Sequence, residues 1–599
     1  MTSLLEKYAQ SESHFSTLLG KESKKANTVA TIRFLTILAL SACGYFFYKN
    51  DNWVAFGLSI TILFTLFLYL VSLHVRLKEQ VLRVETLLKI NQNETKYLHG
   101  DLSPFEGGSQ FIDPEHPFSY DLDFFGEHTL FQHFNRTTTL FGKAHLAETF
   151  QNPDISDIKK RQEAVAELGE KRDWRQHFQA SGLMYVDKNE SLDKFKSWLT
   201  RPLNLTNKPI LRVISYVLPA ITIIIFILNF TSELPIFFDL LKIFGLINLV
   251  VVSLQFKVIK EEHELLTNRS ASFQKYALLL QSIENEGFTS EKLKNLKAKI
   301  VVENTSASQA IKKLSKILNR FDTIFNPFAA ILTNGLFQYH LHALYALEKW
   351  KQTHGQNVLQ WFDVIGEFET LASTANFAFN HPDFIFPVEN TEGGLKMKNV
   401  GHPLIPSDKR IGNDVVFGET SFIVLTGSNM SGKSTFLRTL GVNLALAKMG
   451  SPVCAEAFSF YPYNIFVSMR VSDSLQNSES FFFAELKRLK RIITALENNQ
   501  KTFVILDEIL RGTNSNDKRA GTIGLIKNLM AHKAVGIIAT HDLVIGDMEK
   551  EYPNYLQNKC FEVELSENGL IFDYKLHDGV AQHMSAAFLM EKMGIVTKI

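Results

Sequence analysis

The sequence predicts a helical N-terminal part that enters a membrane, followed by a C-terminal α/β domain with a phosphate-binding loop. Four long runs with little or no charge lie before residue 257, and apolar residues recur at helical spacing from there to about residue 350. From about Gly401, short β-branched runs alternate with helical segments, and one of those runs leads into a glycine-containing loop.

The composition excludes several classes of protein. The 599 residues suggest about four domains. The chain has 63 Lys and Arg against 62 Asp and Glu, a formal net charge of +1, which argues against a polybasic coat for nucleic acid. Cys43, Cys454 and Cys560 are scattered and form no CxxC or Cys/His cluster. A disulfide framework and a structural zinc site are therefore not expected.

The apolar runs predict two membrane-spanning helical hairpins. They occupy residues 34–48, 53–75, 213–230 and 236–256. A helix needs about 20 residues to cross about 30 Å of hydrocarbon, and helices of soluble proteins rarely stay apolar on all sides for that length. Buried helices of a soluble protein remain the alternative, above all for the fourth run, which contains Asp239 and Lys242.

Positive charge concentrates at the outer ends of both hairpins. The flanking basic residues are Lys21, Lys24, Lys25, Arg33, Arg76, Lys78, Arg83, Arg201, Lys208, Arg212, Lys257 and Lys260. The two intervening turns have only Lys49 and Lys242 nearby. Because cytoplasmic loops carry the excess of Lys and Arg, we expect an integral protein of the inner or plasma membrane of a prokaryote. Both termini and all large segments would then lie in the cytoplasm.

The four apolar runs and the change to alternating strand and helix patterns near residue 401 divide the chain into six predicted segments. They are a cytoplasmic N-terminal segment (1–33), a transmembrane hairpin (34–75), the first part of a helical core (76–212), a second transmembrane hairpin (213–256), a helical lever or core (257–400) and the α/β domain (401–599). Amphipathic periodicity in the lever indicates a packing face and carries no chemistry by itself.

A glycine-containing loop between a strand and a helix predicts a nucleotide site. The pattern GxxxxGK[ST] follows the apolar run 422–426 and precedes a helical segment. The predicted nucleotide-binding residues are Gly427, Ser428, Asn429, Met430, Ser431, Gly432, Lys433, Ser434 and Thr435. Lys433 should bridge the β- and γ-phosphates, and the Ser434 hydroxyl should ligate Mg²⁺. The expected cofactors are ATP and Mg²⁺.

Two further strands end in groups that suit ATP hydrolysis. The apolar run 503–506 leads into Asp507 and Glu508. A carboxylate at the end of this strand can hold Mg²⁺ through water, the role predicted for Asp507, and Glu508 is the candidate general base. A third strand, 535–540, ends at His541, which is predicted to contact the γ-phosphate and to take part in catalysis. A purely structural histidine remains the alternative there.

Several segments resemble the MutS family of ABC-type ATPases. TGSNMSGKST (426–435) is similar to the family form TGPNMGGKST, and the segments 506–517 and 539–542 are similar to its DEIGRGTST and ATH segments. The residues 478–485 resemble the family's S-T-F-x-x-E stretch, whose serine reaches the partner's γ-phosphate. The resemblance implies an α/β P-loop (ABC-type) ATPase domain, a homodimer with composite ATP sites, and a catalytic role in trans for Ser480. It covers roughly residues 120–599.

The departures from the family pattern limit what the resemblance implies. No counterpart of the mismatch-recognition domain precedes residue 120, and membrane helices take its place. We therefore expect a membrane-anchored MutS-related ATPase that drives a dimeric clamp or lever, with the lipid bilayer as a partner and DNA as a possible one. The alternative is an ATP-driven membrane switch that acts on a partner other than nucleic acid. A single-chain transporter fits less well, because four spans with little internal charge provide no evident path.

Overall fold

A computed structural model describes most of the chain. The described residues are 2–50, 53–185, 197–199, 201, 209–232, 234–266, 270–302, 305–419, 421–470, 481–566, 569–582 and 595. Helices dominate up to residue 380, and the strands of the two larger sheets lie between residues 388 and 578. The predicted order of a mostly helical part followed by an α/β domain is confirmed.

The helices differ widely in length. They are α1 (Thr2–Lys49), α2 (Trp53–Leu98), α3 (Leu130–Phe134), α4 (Leu140–Gln151), α5 (Ile158–Glu170), α6 (Arg172–Leu183), α7 (Pro209–Thr231), α8 (Ile236–Ser253), α9 (Phe256–Leu266), α10 (Ser270–Asn285), α11 (Glu291–Ala298), α12 (Ala307–Phe321), α13 (Pro327–Phe337), α14 (Tyr339–Asn380), α15 (Lys433–Lys448), α16 (Phe481–Glu497), α17 (Ser515–Ala531) and α18 (Met548–Glu551).

Four of these helices are long and apolar enough to cross a membrane, judged by length and composition alone. They are α1, α2 and α7, which contain the first three predicted runs, and α8, which contains all but the last three residues of the fourth. Two details differ from the prediction. The helix α1 extends continuously back to Thr2, whereas the sequence indicated only a segment before residue 34. The helix α8 ends at Ser253 instead of continuing to residue 256, because the chain turns at Leu254 and a new helix begins at Phe256.

The helical core packs around α14, which is 42 residues long. Residues that the lever periodicity placed on one face, such as Leu293, Leu296, Ile311, Leu314 and Leu318, are buried here. They share a hydrophobic cluster with large side chains of α14, including two tryptophans. A regular helix of this length is about 60 Å long, so α14 can connect distant parts of the molecule.

The strands form two larger sheets and one small ribbon. They are β1 (Val301–Val302), β2 (Thr305–Ser306), β3 (Val388–Glu389), β4 (Leu395–Val400), β5 (Asn413–Phe417), β6 (Phe422–Gly427), β7 (Ala457–Phe460), β8 (Asn464–Ser468), β9 (Thr502–Asp507), β10 (Val535–Ala539), β11 (Leu556–Ser566) and β12 (Gly569–Asp578). In the described part of the chain, the largest sheet has the order β12-β11-β6-β10-β9-β8. All of its pairings are parallel except that of β11 with β12.

The central strands of the largest sheet are buried on both faces, which explains their nearly continuous apolar sequences. Every residue of β6, β9 and β10 is buried. The helix α15 contributes to the core on one face, and α16 and α17 contribute to the core on the other. Parallel strands covered on both sides read as uninterrupted hydrophobic runs, and their carboxyl ends form a common edge.

Candidate functional site

Three predicted segments meet at the carboxyl edge of the largest sheet. The strand β10 lies between β6 and β9, and Ala539 pairs with Leu425 on one side and with Asp507 on the other. The loop after β6, the acids at the end of β9 and the histidine after β10 are therefore neighbours. Ligands bind at this edge in α/β sheets.

The backbone of the loop after β6 has the conformation that a phosphate cradle requires. Met430 and Gly432 have positive φ angles of 68° and 102°, and α15 begins at the next residue, Lys433. A Cβ atom on Gly432 would lie 3.1 Å from the ring of Tyr574 and in a strained conformation, so glycine is favoured here. The loop thus directs the positive end of a 16-residue helix toward the cavity above the sheet.

The side chain of Lys433 is held inside the loop. Its Nζ donates hydrogen bonds of 2.8 Å to the carbonyl oxygens of Gly427 and Ser428. Burial lowers the pKa of Lys433, while the carboxylates of Glu508 and Asp507 oppose that shift. The amine and both carboxylates therefore belong to one electrostatic cluster.

Ser434 and Asp507 present neighbouring oxygen atoms that can serve as ligands of Mg²⁺. The hydroxyl of Ser434 donates a 2.6 Å hydrogen bond to Oδ2 of Asp507. The other carboxylate oxygen, Oδ1, is buried and has no hydrogen-bond partner among the described residues. A hydroxyl and a carboxylate next to a phosphate loop are ligands that Mg²⁺ takes, and the unpartnered Oδ1 leaves a further oxygen for coordination.

Glu508 and His541 are in direct contact. Nε2 of His541 donates to Oε1 of Glu508 at 2.7 Å, and a guanidinium nitrogen of Arg511 lies 3.6 Å from Oε2. The hydrogen bond from His541 lowers the pKa of Glu508 to about 2, although partial burial opposes the shift. The carboxylate is therefore ionised at neutral pH, as a general base must be.

A cavity of about 470 Å³ opens beside these groups. Eight of the nine predicted nucleotide-binding residues, Ser428 to Thr435, line it together with Glu508, and Gly427 adjoins it through the carbonyl that binds Lys433. The cavity is also lined by residues that were not predicted from the sequence: Val400, His402, Ile405, Lys409, Ile411, Asn413, Phe436, Thr439, Phe561 and Tyr574. The apolar and aromatic members could receive a flat base.

His402 illustrates why part of this lining was missed. It lies between Gly401 and Pro403, more than 20 residues before the loop, and belongs to none of the motifs described above. Burial, together with the positive charges of Arg438 and Arg410, lowers the pKa of His402 to about 4. The residue therefore contributes a neutral ring at neutral pH. Only its position in the folded chain reveals that it faces the cavity.

The predicted trans residue Ser480 lies outside the described residues, as does the whole segment 471–480. The following helix, α16, is anchored near the site, because Oε1 of Glu485 accepts a 2.7 Å hydrogen bond from the backbone N–H of Leu510. The proposed contact of Ser480 with a second subunit stays a prediction.

The basic cluster 487–491 on α16 takes part in internal contacts. Arg488 Nη1 lies 3.1 Å from Oδ2 of the buried Asp121, and its Nη2 donates to the carbonyl oxygen of Pro114 at 2.7 Å. Arg491 pairs with Glu115 at 2.5 Å. These two arginines fasten the connecting segment 114–121 to the α/β domain.

Comparison with known proteins agrees with this arrangement. The family description "MutS domain V" matches residues 423–597. The chain is 29% identical to the DNA mismatch repair protein MutS of Thermotoga petrophila over 254 residues, which is 41% of this chain and 31% of that protein. It is 31% identical to the MutS protein homolog 4 of Homo sapiens over 254 residues, 41% of this chain and 25% of that protein.

The matched region is limited in both directions. A match with MutS of Thermotoga neapolitana is 27% identical over 313 residues, or 51% of this chain and 34% of that protein. The chain thus spans about a quarter to a third of the length of these curated relatives. Residues 423–597 match the description MutS domain V, and the similarity of this chain to MutS proteins is shown for that region.

Proposed function

We propose that this chain is a membrane-anchored, MutS-type ATPase that binds ATP with Mg²⁺ and hydrolyses it. One observation carries the proposal: Lys433, Ser434 and Glu508 line one cavity at the carboxyl edge of the parallel strands, and Asp507 and His541 contact Ser434 and Glu508 directly. Each group has the charge or donor capacity that its role in phosphate chemistry requires.

The roles follow from the contacts. Lys433 and the backbone N–H groups at the start of α15 hold the β- and γ-phosphates. Ser434 and Asp507 would hold Mg²⁺, which neutralises charge on the phosphate oxygens when it is bound. Glu508 orients a water molecule and accepts its proton as the water oxygen bonds to the γ-phosphorus and the bond to the leaving ADP oxygen breaks. His541 keeps Glu508 ionised and positioned.

The remaining cavity wall would receive the base of the nucleotide. The aromatic ring of Tyr574 and the side chains of Ile405 and Ile411 line the cavity beside the loop. A flat apolar base can stack on such a ring and displace water from it. These three residues would bind the base and would not take part in catalysis.

The proposed location is the inner or plasma membrane of a prokaryote. It is supported by the four long apolar helices, whose apolar side chains are largely exposed in the isolated chain. Lipid would cover them. The flanking basic residues support a cytoplasmic location of the ATPase domain and both termini under the positive-inside rule.

We further propose a homodimer whose composite sites use Ser480 of the second subunit and whose clamp or lever engages DNA. The DNA part rests on relatives that are named DNA mismatch repair proteins. A second candidate, a membrane switch without nucleic acid, is favoured by one observation: Arg488 and Arg491 of the basic cluster are engaged within the chain. Salt-dependent binding of detergent-solubilised protein to DNA, with and without ATP, separates the two candidates.

The ATPase proposal is tested by nucleotide binding and phosphate release in detergent. Lys433→Ala should abolish ATP binding, and Asp507→Asn should raise the Mg²⁺ concentration needed for half-maximal hydrolysis. Asp547→Asn serves as a control, because Asp547 is exposed and pairs only locally with Lys550. ATP hydrolysis by the Lys433→Ala protein at the parental rate would exclude this site.

A further inference from the structure

The short helix α13 exposes large apolar side chains that no described part of the chain covers. Its 11 residues include Phe328, Ile331 and Leu332, which are 86%, 58% and 62% exposed. Single exposed apolar residues are common on soluble proteins, but three large ones on three turns of helix form a patch. No Asp, Glu, Lys or Arg occurs between Asp322 and Glu348, so the surrounding sequence is uncharged as well.

The C-terminal end of α13 packs onto the second hairpin through buried hydrogen bonds. Asn248 of α8 is fully buried, and its Nδ2 donates to Oγ1 of Thr222 on α7 at 2.9 Å and to the carbonyl oxygen of Gly335 at 2.8 Å. Its Oδ1 accepts from Nε2 of Gln338 at 2.7 Å. An asparagine among apolar helices is costly unless it is bonded, so these contacts fix α13 against the hairpin.

The helices α13 and α8 approach each other where each has a glycine. A Cβ atom added to Gly335 would lie 3.8 Å from the carbonyl oxygen of Gly245, so the two helix backbones are nearly in contact. Glycine at such crossings is characteristic of helices that associate within lipid, where close packing replaces the hydrophobic effect as the source of affinity.

The contacts also give the position of α13 along the hairpin. Asn248 lies five residues before the end of α8, which corresponds to about 8 Å at 1.5 Å per residue. On the other side of the turn at Gln338, the ring of His342 lies 4.9 Å from that of Tyr216 in α7. The helix α13 therefore lies beside the part of the hairpin that contains the Pro209 and Ser253 ends.

Both ends of α13 satisfy their backbone groups locally. Oδ1 of Asn326 accepts from the N–H of Ala329 at 3.1 Å at the beginning, and the N–H of Gln338 donates to the carbonyl oxygen of Asn334 at 3.0 Å at the end. Oδ1 of Asn334 also accepts from the N–H of His340 at 3.0 Å. The chain can thus turn at Gln338, whose φ is +46°, without exposing these groups to an apolar medium.

We infer that α13 is an additional membrane-embedded helix, which enters the leaflet on the Ser253 side of the second hairpin and does not cross the bilayer. Eleven residues span about 16 Å, roughly half of the hydrocarbon thickness. Lipid is the occupant that we assign to the exposed residues, because α13 packs against α8 at Gly245 and the next residue of α8, Leu246, is itself 64% exposed. The inference rests on the proposed membrane residence and extends it to a segment of the lever.

Spin-label accessibility tests the inference in the full-length protein. A cysteine-free background carries Cys43→Ala, Cys454→Ala and Cys560→Ala, and a nitroxide is attached to one cysteine introduced at Leu332, Leu246 or Lys316. Leu246 reports on the hairpin itself, and the exposed Lys316 of α12 is the aqueous control. The proteins are reconstituted in vesicles of phosphatidylethanolamine and phosphatidylglycerol, and collisions with oxygen and with the water-soluble complex NiEDDA are measured.

The expected result is frequent oxygen collisions and rare NiEDDA collisions at Leu332, as at Leu246, and the reverse at Lys316. If oxygen collisions dominate at Leu246 but NiEDDA collisions dominate at Leu332, the inference is overturned and membrane residence is left intact. Aqueous readings at both sites would overturn both proposals. Low collision rates with both reagents at Leu332 would mean that protein, for example a second copy, covers the face, which also contradicts the inference. A label at Ile331 replaces Leu332 if that variant loses ATP hydrolysis.

Discussion

The phenolic hydroxyl of Tyr8 donates a 2.8 Å hydrogen bond to Oδ1 of Asn380, across 372 residues of sequence. Tyr8 lies in the second turn of α1, and Asn380 is the last residue of α14. The carboxylate of Glu94 on α2 accepts from Asn380 at 2.9 Å and pairs with Arg136 at 2.5 Å. A buried polar network thus joins the outer ends of α1 and α2 to the end of the long helix that leads into the α/β domain.

Tyr8→Phe should therefore destabilise the protein without altering the nucleotide site. The substitution leaves Oδ1 of the buried Asn380 without this donor, and an unsatisfied buried acceptor costs about 1–3 kcal/mol. The midpoint of chemical unfolding in detergent should fall. Tyr69→Phe is the matched control, because Tyr69 is exposed on α2. Equal midpoints for the Tyr8→Phe protein and its parent would contradict a stabilising role for this bond.

Glu508→Gln should bind ATP but hydrolyse it about 10²–10⁴-fold more slowly, since the amide cannot accept a proton from water. Equilibrium binding of ATP and single-turnover hydrolysis measure the two steps separately. The isosteric change preserves the size of the side chain that lines the cavity. If the Glu508→Gln protein hydrolyses ATP at the parental rate, Glu508 is not the general base.

The pH dependence of hydrolysis should respond to His541. The hydrogen bond from His541 lowers the pKa of Glu508 from its usual 4.5 to about 2. This depressed pKa stabilises the folded state above about pH 4.5, and the contribution is lost as the pH falls toward 2. In the His541→Ala protein, the pKa of Glu508 should rise, so the acid limb of its residual hydrolysis should move to higher pH. If the acid side of the pH profile is the same in the His541→Ala protein and its parent, then ionisation of Glu508 does not control hydrolysis at low pH.

Arg488→Ala should destabilise the contact between α16 and the connecting segment. Asp121 is buried and Arg488 is mostly buried, with side-chain exposures of 1% and 15%. Removing one partner of such a pair leaves a buried charge and costs about 3 kcal/mol. Arg491→Ala removes a solvent-exposed pair and should cost less than about 1 kcal/mol. Similar losses of unfolding free energy in the two variants would contradict this distinction.

Composite sites can be tested by mixing two inactive proteins, one with Lys433→Ala and the other with Ser480→Ala. A heterodimer would keep one intact site, built from Lys433 of one chain and Ser480 of the other, and hydrolysis should be partly restored. Mass measurement of the mixture must first show that heterodimer is present. Without restored hydrolysis in such a mixture, Ser480 would act, if at all, within its own subunit.

Local sequence patterns predicted the elements of the site, and tertiary contacts determine the rest. The loop at Lys433 and the acids after β9 follow from short contiguous motifs, and each apolar run in the first 260 residues corresponds to a helix. The Arg488–Asp121 pair could not be predicted, because its residues are 367 positions apart. The helix α13 was included in an amphipathic lever, since an 11-residue apolar helix resembles a buried core helix until its exposed face is known.

The contacts at the two ends of α14 restrict how this helix can move. One end is fastened to the second hairpin through Gln338 and His342, and the other to the outer ends of α1 and α2 through Asn380. Because both ends of α14 are held, the helix cannot rotate as a rigid body about either end. Movement of the α/β domain would reach the hairpins as torsion or bowing of α14, and both hairpins would experience it together.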